Sequence, residues 1–196
     1  MSQALVLIET QNEWLHERGK LVKLMEDRSL YENSKKGIIS ALDIARKSEM
    51  HVIHVGLRFQ RGYPELANGK SGLRKAIPKV GTFPMNEFGS QFHESVKPQD
   101  GEFIVTGRTG GSGFAGSNLD IYLRNNRIYD IYLAGYATHV CVESTLREAH
   151  DRGYNATLIS DACSAFTEEQ QRHVLDNVVH HYGESITIAE FAQNVR

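Results

Sequence analysis

Three side chains, Glu9, Arg108 and Cys141, combine residue type and position in a way that supports nucleophilic attack on a carbonyl. Cys141 follows residues 128–134, a run rich in β-branched and aromatic residues that ends at Gly135 and reads as a buried strand. Beyond it Val142, Leu146 and Ala149 recur at spacings of four and three, and Gly153 closes the pattern as the C-terminal cap of a helix. The thiol is thus expected in a first helical turn directly after a strand, where unpaired backbone N–H groups and the helix dipole favour a thiolate. On that reading Cys141 reacts with iodoacetamide faster than Cys163, which has no helix starting at it and reads as packing. The competing reading is an inert thiol, because free cysteines are among the most buried residue types.

Glu9 ends the continuous apolar run Ala-Leu-Val-Leu-Ile at residues 4–8, which reads as a strand buried on both faces, as in a parallel sheet. A carboxylate there lies at the C-terminal end of a central strand, where open α/β sheets bind their ligands. Arg108 lies in a glycine-rich stretch, residues 107–116, after a third strand at 102–106. Gly111, Gly113 and Gly116 match G-x-G-x-x-G. The context is wrong for a dinucleotide, since the match lies outside the first βαβ unit and the next strand ends in Ala-Gly-Tyr where an acidic ribose ligand is required. What remains is a pliable loop carrying one cation toward the sheet edge.

The elements that must position these groups alternate between strand and helix. Residues 31–47 carry Ile38, Leu42 and Ala45 at helical spacing and lead to a second strand at 51–56. Leu119, Tyr122 and Leu123 mark a helix before the central strand, 156–160 forms a fifth strand, and 185–188 a short sixth. Thr167 and Gln170 form a capping box for a helix carrying Val174, Leu175, Val178 and Val179. The pattern predicts a three-layer α/β/α domain of Rossmann-type topology with a mainly parallel six-stranded sheet. With 196 residues and 40% hydrophobic content, one domain spanning 1–196 is expected. Residues 57–100 form a long excursion that holds all four prolines, and they read as a lid, binding loop or oligomer arm. Its basic residues, Arg58, Arg61, Lys70, Arg74, Lys75 and Lys79, serve either an anionic substrate or a solvated surface.

A net charge of −2 gives no electrostatic footprint for nucleic acid or an anionic membrane, and no apolar run approaches a membrane span. Without a secretory signal pattern the chain is expected in the cytoplasm with both cysteines reduced. His51 and His54 face opposite sides of a strand and the other histidines are adjacent or scattered, so no metal site and no cofactor are expected.

With these positions in hand, the chain resembles the isochorismatase-like cysteine hydrolases over most of its length. The likeness rests on residues 4–14, Ala-Leu-Val-Leu-Ile-Glu-Thr-Gln-Asn-Glu-Trp, and 114–120, Phe-Ala-Gly-Ser-Asn-Leu-Asp. It is strongest at 135–142, Gly-Tyr-Ala-Thr-His-Val-Cys-Val, and extends to Asp-Ala-Cys at 161–163. The resemblance implies a triad in which Glu9 and Arg108 stand where the family has Asp and Lys, with Cys141 as nucleophile. Glu reaches one methylene further than Asp, and Arg keeps its charge but cannot give up a proton. It further implies a cis peptide between Ala137 and Thr138, an oxyanion hole from the N–H groups of Ala137 and Cys141, and a pocket lined by Trp14, Phe114 and Tyr136. The implied activity is cleavage of an amide, imide or carbamoyl C–N bond in a small molecule through a thioester, by a homodimer or homotetramer. Vinyl ether hydrolysis of the isochorismatase type and a catalytically silent scaffold are the alternatives. Nicotinamide is disfavoured, because Gly56-Leu-Arg-Phe-Gln stands where the zinc-dependent nicotinamidase branch has Asp-x-His.

Overall fold

Strand β1 (Ser2–Ile8) is hydrophobic throughout because both of its faces are covered: Leu5 and Leu7 enter one core, Ala4, Val6 and Ile8 the other. It belongs to a computed structural model that describes residues 2–48 and 50–195. With β2 (His51–Val55), β3 (Phe103–Ile104), β4 (Ile128–Tyr136), β5 (Asn155–Ser164) and β6 (Glu184–Ile186) it forms one sheet in the order β3-β2-β1-β4-β5-β6. Every pairing is parallel. The chain therefore builds outward from β1 in one direction, returns, and builds from β4 in the other. That reversal lies between β1 and β4, and at such a point the connecting loops diverge and leave a crevice beyond the strand ends.

Helix α1 (Asn12–Leu15) follows β1, and α2 (Arg28–Lys47) starts where the Asp27 carboxylate accepts the Leu30 N–H at 2.9 Å. The α2 face of Tyr31, Ile38, Ala41, Leu42 and Ala45 covers one side of the sheet. Helices α4 (Leu119–Asn125), α5 (Glu143–Asp151), α6 (Glu168–Asn177) and α7 (Val179–Tyr182) cover the other, and Phe191 of α8 (Ile188–Asn194) packs beside α2. The Thr167–Gln170 capping box forms as its spacing predicts.

Some boundaries differ from the sequence reading. The fifth strand continues through 161–164, because Cys163 and Ser164 pair with Gly135 and Tyr136 beyond a register shift in β4. The sixth ends at Ile186, since Thr187 caps α8 instead of extending the sheet. The excursion at 57–100 contains a helix, α3 (Gly72–Val80), that the reading missed. Its apolar positions Leu73, Ala76, Ile77 and Val80 do hold helical spacing, but Gly72 and Pro78 argue against a helix by propensity.

A partly buried cluster ties the sheet edge to α2. Glu102 accepts from Arg46 Nε at 2.7 Å and Nη2 at 3.0 Å and from the Gln99 N–H at 2.9 Å, and it shares a 2.8 Å bond with His54 Nε2. Burial alone would raise the Glu102 carboxyl, but Arg46, the Gln99 amide and His54 outweigh it and hold it at about 2. Burial pushes the His54 imidazole down despite Glu102. A carboxyl lowered on folding binds fewer protons than its unfolded counterpart, so its contribution is present above pH 4.5 and is lost as the pH falls toward 2. Glu102→Gln is expected to destabilise most near neutrality, with the gap to the parent shrinking progressively below pH 4.5. Urea midpoints of both proteins across that range check this, and a gap independent of pH would refute it.

Candidate active site

Glu9 and Cys141 leave adjacent strands at the reversal point, where Ile8 pairs with Gly135. Gly135 is required there: its φ is +128°, and a Cβ would lie 2.0 Å from the Ile8 carbonyl oxygen. Glu9 itself adopts a left-handed φ of 54°, and its N–H still donates to the Val55 carbonyl at 2.8 Å. This turn ends β1 and leaves the carboxylate 1% exposed, among groups that all donate to it. Oε1 accepts from Arg108 Nη2 at 2.7 Å and Oε2 from Trp14 Nε1 at 2.8 Å.

Arg108 explains the glycine-rich loop. Its Nε donates to the carbonyls of Gly110 and Ser112, both at 3.1 Å, and Nη2 donates to Gly111 at 2.6 Å. The loop therefore turns carbonyl oxygens toward the centre, the polarity that suits a guanidinium and opposes a phosphate. The Gly113 N–H is taken by Thr145 Oγ1 at 2.8 Å, and that hydroxyl in turn donates to the Cys141 carbonyl at 2.7 Å. The loop and the turn that carries Cys141 are thereby fixed to each other.

Cys141 sits in a single π-helical turn, Thr138–Val142, that precedes α5, where an ordinary α-helical start was expected. The N–H groups of Val140 and Val142 both converge on the Ala137 carbonyl, at 3.0 and 3.3 Å. Such wide turns are rare and recur at functional sites. The cis peptide lies between Tyr136 and Ala137, one residue before the bond expected between Ala137 and Thr138. Tyr136 is the last residue of β4 and still pairs with Ser164, so the chain changes direction immediately after it.

The electrostatics correct a second expectation. Burial pushes the Cys141 thiol well up and the Glu9 charge adds to this, while Arg108 pulls the other way without prevailing. Arg108 loses some basicity to burial but gains more from Glu9 and Cys141, so it stays charged. The dipole of a helix start does not outweigh desolvation at a sulfur 3% exposed. The raised thiol thus favours its protonated form beside a carboxylate paired to a fixed cation. Cys163, buried in the core, is pushed up to about 12 by desolvation. Iodoacetamide at pH 7 is accordingly expected to modify both cysteines slowly in the native protein and rapidly in urea. Rapid native labelling of Cys141, read by peptide mass spectrometry, would contradict this.

A cavity of about 280 Å³ opens in front of the sulfur, with Glu9, Cys141, Ala137 and Trp14 in its wall. Phe114 and Tyr136, expected beside Trp14, do not line it. Phe114 lies in the opposite core, stacked on Tyr154 with ring centroids 5.5 Å apart. Tyr136 is one layer behind the wall, stacked on Trp14 at 5.9 Å with its hydroxyl 3.0 Å from Ser34 Oγ. Both belong to segments that carry the site, yet their rings pack away from the cavity. The walls the sequence reading missed come from α3 and from Val140 and Phe166. A larger cavity of about 720 Å³ also touches Arg108, but neither Glu9 nor Cys141 borders it.

Comparison with known proteins identifies the family. A model of the isochorismatase domain matches residues 3–190. The chain is 32% identical to the uncharacterized isochorismatase family protein YwoC of Bacillus subtilis, covering 98% of this chain and 94% of that one. It is 31% identical to the ureidoacrylate amidohydrolase RutB of Caulobacter segnis, covering 96% and 83% respectively. In fold it is similar to N-carbamoylsarcosine amidase from Thermoplasma acidophilum, with a TM-score of 0.73 and 24% identity over 95% of this chain and 96% of that one. The domain match along nearly the whole chain, on a parallel sheet whose reversal point gathers an acid, a cation and a thiol, places this protein in the isochorismatase family of hydrolases.

Proposed function

We propose that the protein hydrolyses a C–N bond of a small molecule, of amide, imide or carbamoyl type, with Cys141 as nucleophile. The observation that carries this reading is the Arg108–Glu9 ion pair held against a buried thiol at the wall of a cavity. Glu9 takes the thiol proton as Sγ attacks the substrate carbonyl carbon, and Arg108 offsets the negative charge passed between carboxylate and sulfur. The N–H groups of Ala137 and Cys141 receive the developing oxyanion. The proton on Glu9 then passes to the leaving nitrogen, the C–N bond breaks, and ammonia or an amine departs from a thioester on Cys141. Water deprotonated by Glu9 attacks the thioester carbonyl, and the acid leaves as the thiol recovers its proton. A neutral resting thiol fits this sequence, since the proton that Glu9 gains is the one that the leaving group needs.

An amidohydrolase among the relatives supports the choice of bond. The test is ammonia release across a panel of amides, ureides and carbamoyl compounds that includes ureidoacrylate, with mass spectrometry of acid-quenched enzyme during turnover. The expected result is ammonia from at least one compound and an acyl or carbamoyl adduct on the peptide that contains Cys141. Turnover with no adduct and an undiminished rate in Cys141→Ala would overturn the nucleophile, and no release from any compound would overturn the activity.

A further inference from the structure

The wall in front of Cys141 is almost wholly hydrocarbon. Leu57, Leu73, Ile77, Val80, Val140 and Phe166 supply much of it, and the lining side chains that carry a heteroatom are Glu9, Trp14, Thr82 and Cys141. Trp14 Nε1 is already committed to Glu9. Among the described residues no lysine, arginine or histidine side chain borders the cavity. Two cations lie nearby and neither lines the cavity, although Arg108 Nη1 is buried without a hydrogen-bond partner. Arg108 is behind the wall, bonded to Glu9 and to three loop carbonyls. Lys20 donates to the Gly81 carbonyl and lies 3.9 Å from the Glu13 carboxylate. The basic residues of α3, Arg74, Lys75 and Lys79, are exposed, while Leu73, Ala76, Ile77 and Val80 of the same helix line the cavity. Arg58 stacks over Phe92 and borders the larger cavity instead.

A carboxylate entering this space would lose hydration, meet no cation among the described residues of the wall, and approach the Glu9 anion, a combination that protein interiors disfavour. A cationic group fares no better, because the Glu9 charge is already matched by Arg108. We infer that the substrate is an uncharged amide or lactam whose remainder is hydrocarbon, a short branched alkyl chain or a single ring. The volume of about 280 Å³ lies at the small end of ligand cavities. This deepens the hydrolase reading of the same site and rests on it for the position of the reacting carbonyl.

The experiment separates the two claims by measuring binding without chemistry. Cys141→Ala is titrated calorimetrically with size-matched pairs, 4-methylpentanamide against succinamate and 4-isopropylbenzamide against 4-carboxybenzamide, and ammonia release by the parent enzyme is measured with the same compounds. Uncharged members are expected to bind at least about 100-fold more tightly, and affinity should rise about fourfold per methylene from propionamide to valeramide. Leu73→Arg, at a half-exposed position of the wall, is expected to reduce the preference for the uncharged member at least about tenfold. Equal or tighter binding of the carboxylates, or binding of neither class, would overturn the inference. Tight binding of the uncharged amides without ammonia release by the parent would uphold the ligand class and defeat the hydrolase reading.

Discussion

Cys141→Ala is expected to lower the rate of ammonia release by about 10⁴- to 10⁶-fold, the range lost when an enzyme's nucleophile is removed and its binding groups are left in place. In the proposed mechanism the sulfur is the atom that forms and breaks a bond to carbon. Glu9 is held by Arg108 and Trp14, and the hydroxyl of Thr145 is committed to the Cys141 carbonyl. Stability should change little, because the alanine removes one small buried atom and also relieves a thiol of its place beside a carboxylate. Loss of packing at such a site amounts to about 1 kcal/mol. Cys141→Ser sharpens the test: a hydroxyl keeps the volume but is far harder to deprotonate, so Glu9 cannot generate the alkoxide and activity should stay near that of the alanine variant. Rates are compared with the urea midpoint of each protein. A Cys141→Ser enzyme within tenfold of the parent would show that attack does not begin at this position.

What could be read from the sequence and what could not divides along physical lines. Patterns that depend on burial alone were legible. The apolar run before Glu9 signalled a doubly covered parallel strand, and the periodicity after Cys141 signalled α5. Order along the chain then placed Glu9, Arg108 and Cys141 at one rim of the sheet, and those three do meet. Features that depend on where a side chain points after a non-standard turn were not legible. Tyr136 and Phe114 flank the site in sequence yet face packing, and the cis bond fell one residue earlier than the motif implied. The sign of the Cys141 shift was misjudged because the helix start is visible in the sequence, while the depth of burial and the closeness of Glu9 are tertiary facts. Likewise α3 was hidden by Gly72 and Pro78, residues that weaken a helix locally but are overruled when its apolar face closes a cavity.

Arg108→Met is expected to have the largest effect on stability, because it removes the cation bonded to a carboxylate that is 1% exposed. Breaking one side of a buried ion pair costs about 3–5 kcal/mol, since the surviving charge keeps its desolvation penalty without its partner. For a protein of this size, with a Tm change of about 2–4 °C for each kcal/mol, the drop is about 6–20 °C. Part of it comes from the loop, where Gly110, Gly111 and Ser112 lose the donor to which their carbonyls are turned. Arg108→Lys should fall between the two, because an ammonium restores the charge but cannot reach a carboxylate and three carbonyls with one planar fork. The decisive protein is the double variant Glu9→Gln with Arg108→Met. Removing both charges abolishes the unpaired anion, so this chain should be more stable than Arg108→Met alone while remaining inactive for lack of a base. Calorimetric unfolding of the parent, Glu9→Gln, Arg108→Met and the double variant gives the coupling between the two sites directly. If the double variant is no more stable than Arg108→Met, the pair is not held together by charge, and the thiol proton then has no electrostatic reason to move to Glu9.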